Sequence, residues 1–380
     1  MINEYKKLKK ELNVELKNIL SYWIENTIDK EFGGFLGKRD HFNKVVEKAS
    51  KGVILNTRIL WSFSAATNHL KTDTYKDVCD RSFKYLKDFF NDKINKGVYW
   101  EVDYLGNPIN KRKQVYAQSF TIYALSEYYL FSKDEEKYAK DSVNEGYFEA
   151  FNEDWSPIED MRLSDKDMNA SKTMNTHLHV LEAYTSLLKI YDNNELKASL
   201  KMLVKVFLEK FLNTKNHYEL FFDDQWNLLS NSVSYGHDIE AAWLVIDAAK
   251  LIDDSELLHL SEEVAVKVAD TFLLEAIDKE GAVINEKNLT TNHIDTDRHW
   301  WPQVEALVGL KYANDLKSDK KYISSSLKIW DFTKKNLIDY KNGEWFFRVD
   351  EKGNVYKSED KVSMWKAPYH TSRACIILNK

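Results

Sequence analysis

Apolar positions along this chain alternate between two kinds of helix. From about residue 3 to 25, Leu8, Leu12, Leu16, Ile19, Leu20 and Trp23 recur at helical spacing with Lys and Glu between them, which predicts an amphipathic helix with one buried stripe. The stretch from Asn56, Asn-Thr-Arg-Ile-Leu-Trp-Ser-Phe-Ser-Ala-Ala, is different in kind. It is apolar on nearly all sides with small residues interleaved, as expected of a helix buried on several faces. Charged amphipathic helices are predicted again near 74–90, 133–151, 194–212, 255–275 and 319–337, and Ala- and Ser-dotted helices near 115–131, 175–190, 237–251, 300–313 and 368–378. Starts of the second kind lie about 59, 60, 62, 63 and 68 residues apart, a weak but regular internal period. Six outer helices and six inner ones are enough to close a ring.

The segments between outer and inner helices carry turn chemistry. A Gly-rich turn, Phe32-Gly33-Gly34-Phe35, follows the first helix. Gly97 to Ile109 and Glu344 to Lys357 read as short hairpins around Leu-Gly-Asn-Pro and Asp-Glu-Lys-Gly-Asn. With helices alternating in direction, all these segments fall at one end of the ring, together with the first turns of all six inner helices. The expected fold is all-α: an (α/α)6 barrel with short β-hairpin loops at the active-site end, built as a single catalytic domain over residues 1–380. An open α-solenoid is the structural alternative.

Composition narrows the function. With 380 residues, 4 Pro and 12 Gly, no linker marks a domain boundary. The net charge of −6 is spread over interspersed acids and bases without a basic stripe, so nucleic acid is not an expected partner. No long apolar run predicts a membrane span and no apolar h-region a leader, so a soluble, cytoplasmic monomer with no membrane partner is expected. Cys79 and Cys375 lie in apolar helical patterns and read as small buried hydrophobes. Aromatic residues are plentiful, with 11 Trp, 21 Tyr and 19 Phe, which suits a cleft lined for flat apolar faces such as those of sugars.

The inner-helix starts carry the candidate chemistry: Asn56 and Arg58; Tyr116 and Gln118; Asn175, His177 and His179; His237 and Glu240; His299, Trp300, Trp301 and Glu305; Trp365, Tyr369, His370 and Arg373. Five of the ten histidines fall in these short turns, a concentration that chance explains poorly. Each residue also has a plainer reading as a cap, a buried ion-pair partner or core. His177 and His179 are two apart on a helix and cannot both face one pocket; Asn175 shares a face with His179, which favours His179 as the functional member. Glu240, three residues after His237, is placed to orient that imidazole. His41, His69, His217, His259 and His293 read as surface or core. Converging histidines also allow zinc or manganese, but no HExxH or CxxC occurs, and Trp and Arg58 suit a neutral polyol better. Asp167, Glu240 and Glu305 are the carboxylates that an inverting glycosidase would need. Imidazoles titrating near neutrality fit proton abstraction and return at one carbon better.

Four stretches, Asn175-Thr-His-Leu-His-Val-Leu-Glu-Ala-Tyr184, Tyr235-Gly-His-Asp-Ile-Glu240, His299-Trp-Trp-Pro-Gln-Val-Glu305 and Trp365-Lys-Ala-Pro-Tyr-His370, closely resemble the motifs of cellobiose 2-epimerases, within the N-acylglucosamine 2-epimerase superfamily. The resemblance spans nearly the whole chain. It implies an (α/α)6 barrel, no required cofactor, no metal, and reversible epimerisation at C2 of the reducing-end glucose of β-1,4-linked disaccharides such as cellobiose and lactose. It further implies that His370 removes the C2 proton, that His237 returns one to the opposite face, and that His179 assists opening of the pyranose ring. Arg58 would stabilise the cis-enediolate. Tyr116, Asp167, Asn175 and Glu240 would hold hydroxyls or orient the histidines; Trp365 and one of Trp300 or Trp301 would stack on the sugar rings. Mannose 2-epimerases and aldose-ketose isomerases share the barrel and remain alternatives, as does a non-catalytic carbohydrate-binding scaffold.

Overall fold

Residues 2–132 and 146–380 are described by a computed structural model. Their helices are α1 Ile2–Thr27, α2 Val53–Leu70, α3 Lys76–Tyr85, α4 Val115–Ser132, α5 Met174–Leu188, α6 Asn194–Val206, α7 Tyr235–Ala249, α8 Ser255–Glu275, α9 Trp300–Lys317, α10 Lys320–Asn336 and α11 Tyr369–Leu378. The helix predicted near 133–151 falls largely outside the described residues, and its described tail is not helical, with Ala150 and Phe151 paired as strand. Helices α3 and α6 each run on into a wider π-turn, Leu86–Phe90 and Phe207–Phe211.

The two helix types sort into two layers for the reason their sequences differ. In α2 every residue from Val53 to Thr67 is buried, whereas α1 buries mainly the stripe through Leu8, Leu12, Leu16, Ile19, Leu20 and Trp23. The fully apolar helices α2, α4, α5, α7, α9 and α11 pack each against the next, and α11 returns to α2, closing an inner ring. Small residues set the spacing: a Cβ on Gly309 of α9 would meet Ile239 Cγ1 of α7 at 2.4 Å. An outer helix lies chiefly on the inner helix that precedes it: α3 on α2, α6 on α5, α8 on α7 and α10 on α9. The first helix, α1, packs on the last, α11, and so takes its place in the outer layer. This is the (α/α)6 barrel expected from the alternation.

A chain of short antiparallel pairs gathers the inner-helix starts at one end. Lys51–Gly52 pairs with Glu101–Val102, Lys113–Gln114 with Ala150–Phe151, Lys172–Thr173 with Phe221–Phe222, Ser232–Ser234 with Glu286–Asn288, and Arg298–His299 with Arg348–Val349. A bridge from Val362 to Arg39 carries the same pattern across the join between the chain's two ends. Buried ion pairs lock these segments. After an outer helix an Asp accepts backbone N–H groups in a tight turn and holds a cation just before the next inner helix: Asp29 with Lys51 at 2.7 Å, Asp92 with Lys113 at 2.7 Å, Asp278 with Arg298 Nε at 2.9 Å, and Asp339 with Lys361 at 2.8 Å. Their trace in the sequence is the recurring Ile28-Asp29-Lys30, Asn91-Asp92-Lys93, Ile277-Asp278-Lys279 and Ile338-Asp339-Tyr340. Cys79 and Cys375 are free and buried.

Candidate active site

All six inner-helix starts contribute to one cluster. Helix α2 supplies Arg58, whose guanidinium donates to Tyr116 Oη at 2.8 Å and to the Trp365 carbonyl at 3.2 Å, and lies over the Phe120 and Tyr369 rings. Its Nε is buried and meets no protein acceptor. Tyr116 of α4 stands edge-on to the His179 imidazole, with ring centres 4.8 Å apart. In α5, Thr173 caps the helix by accepting from Thr176 N–H. His177 turns away from the centre: its Nδ1 lies 2.7 Å from the Thr173 carbonyl and its Nε2 accepts from Tyr147 N–H at 2.9 Å, so backbone occupies both nitrogens. His179 faces inward, with Nδ1 3.0 Å from Glu182 Oε2.

Gly236 lies within the first turn of α7, and its role is to make room: a Cβ there would meet the Trp301 ring at 2.4 Å. Trp301 is thereby held against His237, 4.8 Å between ring centres, and also against His370 at 5.4 Å. Trp300 is buried against Phe347 with Lys366 over its ring, so Trp301 is the partly exposed member of the pair. His237 Nδ1 lies 2.8 Å from Ser234 Oγ. The sequence reading gave Glu240 the task of orienting His237. The structure corrects this, because the Glu240 side chain turns to Arg373 and stands 4.0 Å from His370 Nδ1. The His237 side chain extends back over the preceding strand, where Ser234 meets it. Asp238 accepts from Tyr218 N–H at 2.8 Å and pairs with His217 at 2.7 Å, a buried partnership unnoticed in the sequence.

His370 Nδ1 lies 2.7 Å from Glu305 Oε1 of α9. With the carboxylate accepting, Nδ1 carries the proton and Nε2 keeps the lone pair. Arg373, one turn on, donates to Glu182, Glu240 and Glu305. Tyr369 Oη donates to Glu182 at 2.6 Å, and Trp243 Nε1 to Glu305 Oε2 at 3.3 Å. Glu182 and Ser234 were missed in the sequence, although each stands three residues from its histidine, the spacing that drew attention to Glu240. Trp365 packs on Trp100 and Tyr116, each 6.0 Å between ring centres. Asn175 has a buried Oδ1 without a protein partner. Asp167 lies outside the helices; Ser164 donates to it through N–H and Oγ, both at 2.8 Å, and its charge acts on His237.

Burial dominates the electrostatics. Loss of solvent lowers His237 to about 4, against a smaller opposing pull from Asp167. His179 is lowered by burial against the pull of Glu182, and His370 falls well below the ordinary value through burial, with Arg58 and Arg373 opposing the help of Glu240. All three are neutral near pH 7, the form that accepts a proton. Glu305 is raised by burial, with Arg373 working against it. For Glu182 burial is overcome by Arg373 and the hydrogen bond from His179, which hold it at about 2. Glu240, Glu305 and His370 bring ligand atoms within 4.8 Å of one another, close enough to hold a metal ion. The Arg373 guanidinium already donates to both carboxylates, so this donor set is matched to an organic cation. The same pairing turns Glu240 and Glu305 toward one arginine, away from the opposed placement an inverting glycosidase needs.

The model of the N-acylglucosamine 2-epimerase (GlcNAc 2-epimerase) family matches residues 34–374. The chain belongs to the N-acylglucosamine 2-epimerase family. Among relatives of this family, a cellobiose 2-epimerase from Bacteroides fragilis is 42% identical over 98% of both chains. The crystal structure of a sugar epimerase from a ruminal bacterium superposes with a TM-score of 0.92 at 34% identity, covering 98% of both chains. A cellobiose 2-epimerase from Bacillus thermoamylovorans gives 0.90 at 34% identity, covering 98% of this chain and 99% of that one. In this member of the N-acylglucosamine 2-epimerase family the inner-helix starts gather three imidazoles, those of His179, His237 and His370.

Proposed function

We propose that this protein is an isomerase, a cellobiose 2-epimerase that inverts C2 of the reducing-end glucose of β-1,4-linked disaccharides without a cofactor. The observation that carries the reading is the placement of His237 and His370, from the fourth and sixth inner helices, both against the Trp301 ring. Inversion through a planar intermediate needs an acid/base group on each face of the carbon, and two walls of a ring supply them. The relatives' names support the choice of disaccharide over monosaccharide.

In the proposed sequence His179 assists ring opening by taking the C1 hydroxyl proton and passing a proton to the ring oxygen as the bond between that oxygen and C1 breaks, which exposes the C1 aldehyde and acidifies the C2 proton. His370 takes that proton at Nε2 and becomes an imidazolium facing Glu305 and Glu240. Arg58 stabilises the negative charge that develops on the enediolate oxygens, through a donor already free of protein acceptors. His237, neutral at rest, takes up a proton from solvent as negative charge builds on the enediolate and delivers it to the opposite face of C2, giving glucosyl-mannose from cellobiose, while His370 releases its proton to solvent; in the reverse direction the two histidines exchange roles. Trp301 and Trp365 stack on the sugar rings; Tyr116, Asn175 and Asp167 hold hydroxyls.

Residues 1–380 act as one catalytic domain, monomeric and cytoplasmic in this reading. Among the described residues no helix is long and apolar enough to cross a membrane. Incubation with cellobiose in deuterated water tests the function: an epimerase puts deuterium at C2 and forms glucosyl-mannose, in chelator as without it. Release of glucose, or binding with no exchange, would overturn it.

A further inference from the structure

Beyond the histidines, the barrel floor holds a set of buried charged groups, of which the proposed reaction leaves Glu182 and Arg373 without a task. Glu182, Glu240, Glu305 and Arg373 are each less than 5% exposed, and polar side chains are expensive in such a place unless they are paired. Their pairing is continuous. His179 Nδ1 meets Glu182 Oε2 at 3.0 Å; Glu182 accepts from Arg373; Arg373 donates to Glu305 Oε1 at 2.7 Å; and that same oxygen meets His370 Nδ1 at 2.7 Å. A single chain of hydrogen bonds thus runs from the ring-opening histidine on α5 to the C2 base on α11. His237 stands outside it, tied to a neutral hydroxyl.

We infer that Glu182 and Arg373 are positioning residues: Glu182 fixes the imidazole of His179, and Arg373 joins that pair to His370 and Glu305 so that the two histidines answer to one shared charge. This rests on the epimerase reading for its catalytic meaning, but the relay is a property of the folded protein. Three carboxylates facing one arginine leave the floor with an excess of negative charge, which works against burial for a proton on the histidine at either end. A proton on one histidine then opposes a proton on the other, which suits a reaction that needs an acid for ring opening and afterwards a base at C2. The groups facing His179 are Glu182 on its own helix, Tyr116 and Phe120 on α4, Arg58 on α2 and Glu240 on α7, with Tyr369 and Arg373 of α11 behind them on Glu182. Those facing His370 are Glu305 and Trp301 on α9, Glu240 on α7, Arg58 on α2, His179 on α5, and Tyr369 and Arg373 on its own helix.

The test is a side-chain ¹⁵N NMR titration of the histidines in the full-length protein without sugar, read beside cellobiose kinetics. Glu182→Gln keeps the shape and removes the charge. It should move the His179 midpoint down by about one pH unit or more and cut kcat about tenfold or more, with KM within about threefold. Arg373→Gln removes the opposing charge and should raise the His179 and His370 midpoints together. An unmoved His179 midpoint in Glu182→Gln, or a response confined to one histidine in Arg373→Gln, overturns the relay, and either variant decides if the other does not fold. Wild-type protein showing the coupled titrations but no epimerisation would refute the proposed function and leave the relay standing.

Discussion

Replacing Glu305 by Gln isolates the contribution of one carboxylate to the C2 base. The side chain keeps its length and an acceptor for the Nδ1 proton of His370, now 2.7 Å away, so ring orientation is held while the charge is lost. When His370 takes the C2 proton, a positive charge forms about 4 Å from the centre of that carboxylate, and at an effective dielectric of about 20 the attraction is about 4 kcal/mol. Arg373 shares the same oxygen and offsets part of it. A remaining loss of about 2–3 kcal/mol in the transition state corresponds to a fall in kcat of roughly 30- to 150-fold. The assay is C2 deuterium exchange and glucosyl-mannose formation from cellobiose, followed by proton NMR in deuterated buffer. KM should stay within about threefold, because the carboxylate lies behind the histidine, and circular dichroism should be unchanged. A variant with kcat within about threefold of wild type would show that the Glu305 charge does not support the base.

Other outcomes follow from the same geometry. His237→Ala and His370→Ala should each abolish epimerisation while leaving the melting temperature within a few degrees; an active variant removes that histidine from the mechanism. Gly236→Ala drives a methyl into the Trp301 ring and should lower kcat/KM for cellobiose about a hundredfold, since a displacement of about 1 Å near the reacting groups is enough for that. Lys113→Met leaves Asp92 buried without its cation and should destabilise the fold by about 3–5 kcal/mol in denaturant titration. His177 and His237 both fall to about 4 on folding from an ordinary value of 6.5. Their contribution is therefore complete above pH 6.5 and is lost as pH falls toward 4, at about 1.4 kcal/mol per pH unit for each group. Urea midpoints flat across that window would refute the burial of these two imidazoles.

The amino-acid sequence by itself determined the alternation of stripe-buried and fully buried helices, because burial on one face or on all faces is written in the apolar period of each segment. It also determined which end carries the chemistry, since His, Arg and Trp crowd the first turns of the inner helices. Tertiary structure alone decided who partners whom. Glu240 stands three residues from His237 along α7, yet its carboxylate goes to Arg373, which comes from α11 across the barrel and draws in Glu182 and Glu305 as well. Helical spacing ranks neighbours on one helix; it cannot weigh them against a guanidinium delivered by ring closure. The same holds for Gly236, whose missing side chain matters only because Trp301 of α9 arrives there, and for α1, which finds its place against α11 once the ring has closed. Contacts between elements far apart in sequence depend on crossing geometry and on which buried charges must be paired, and neither is encoded in the period of any one segment.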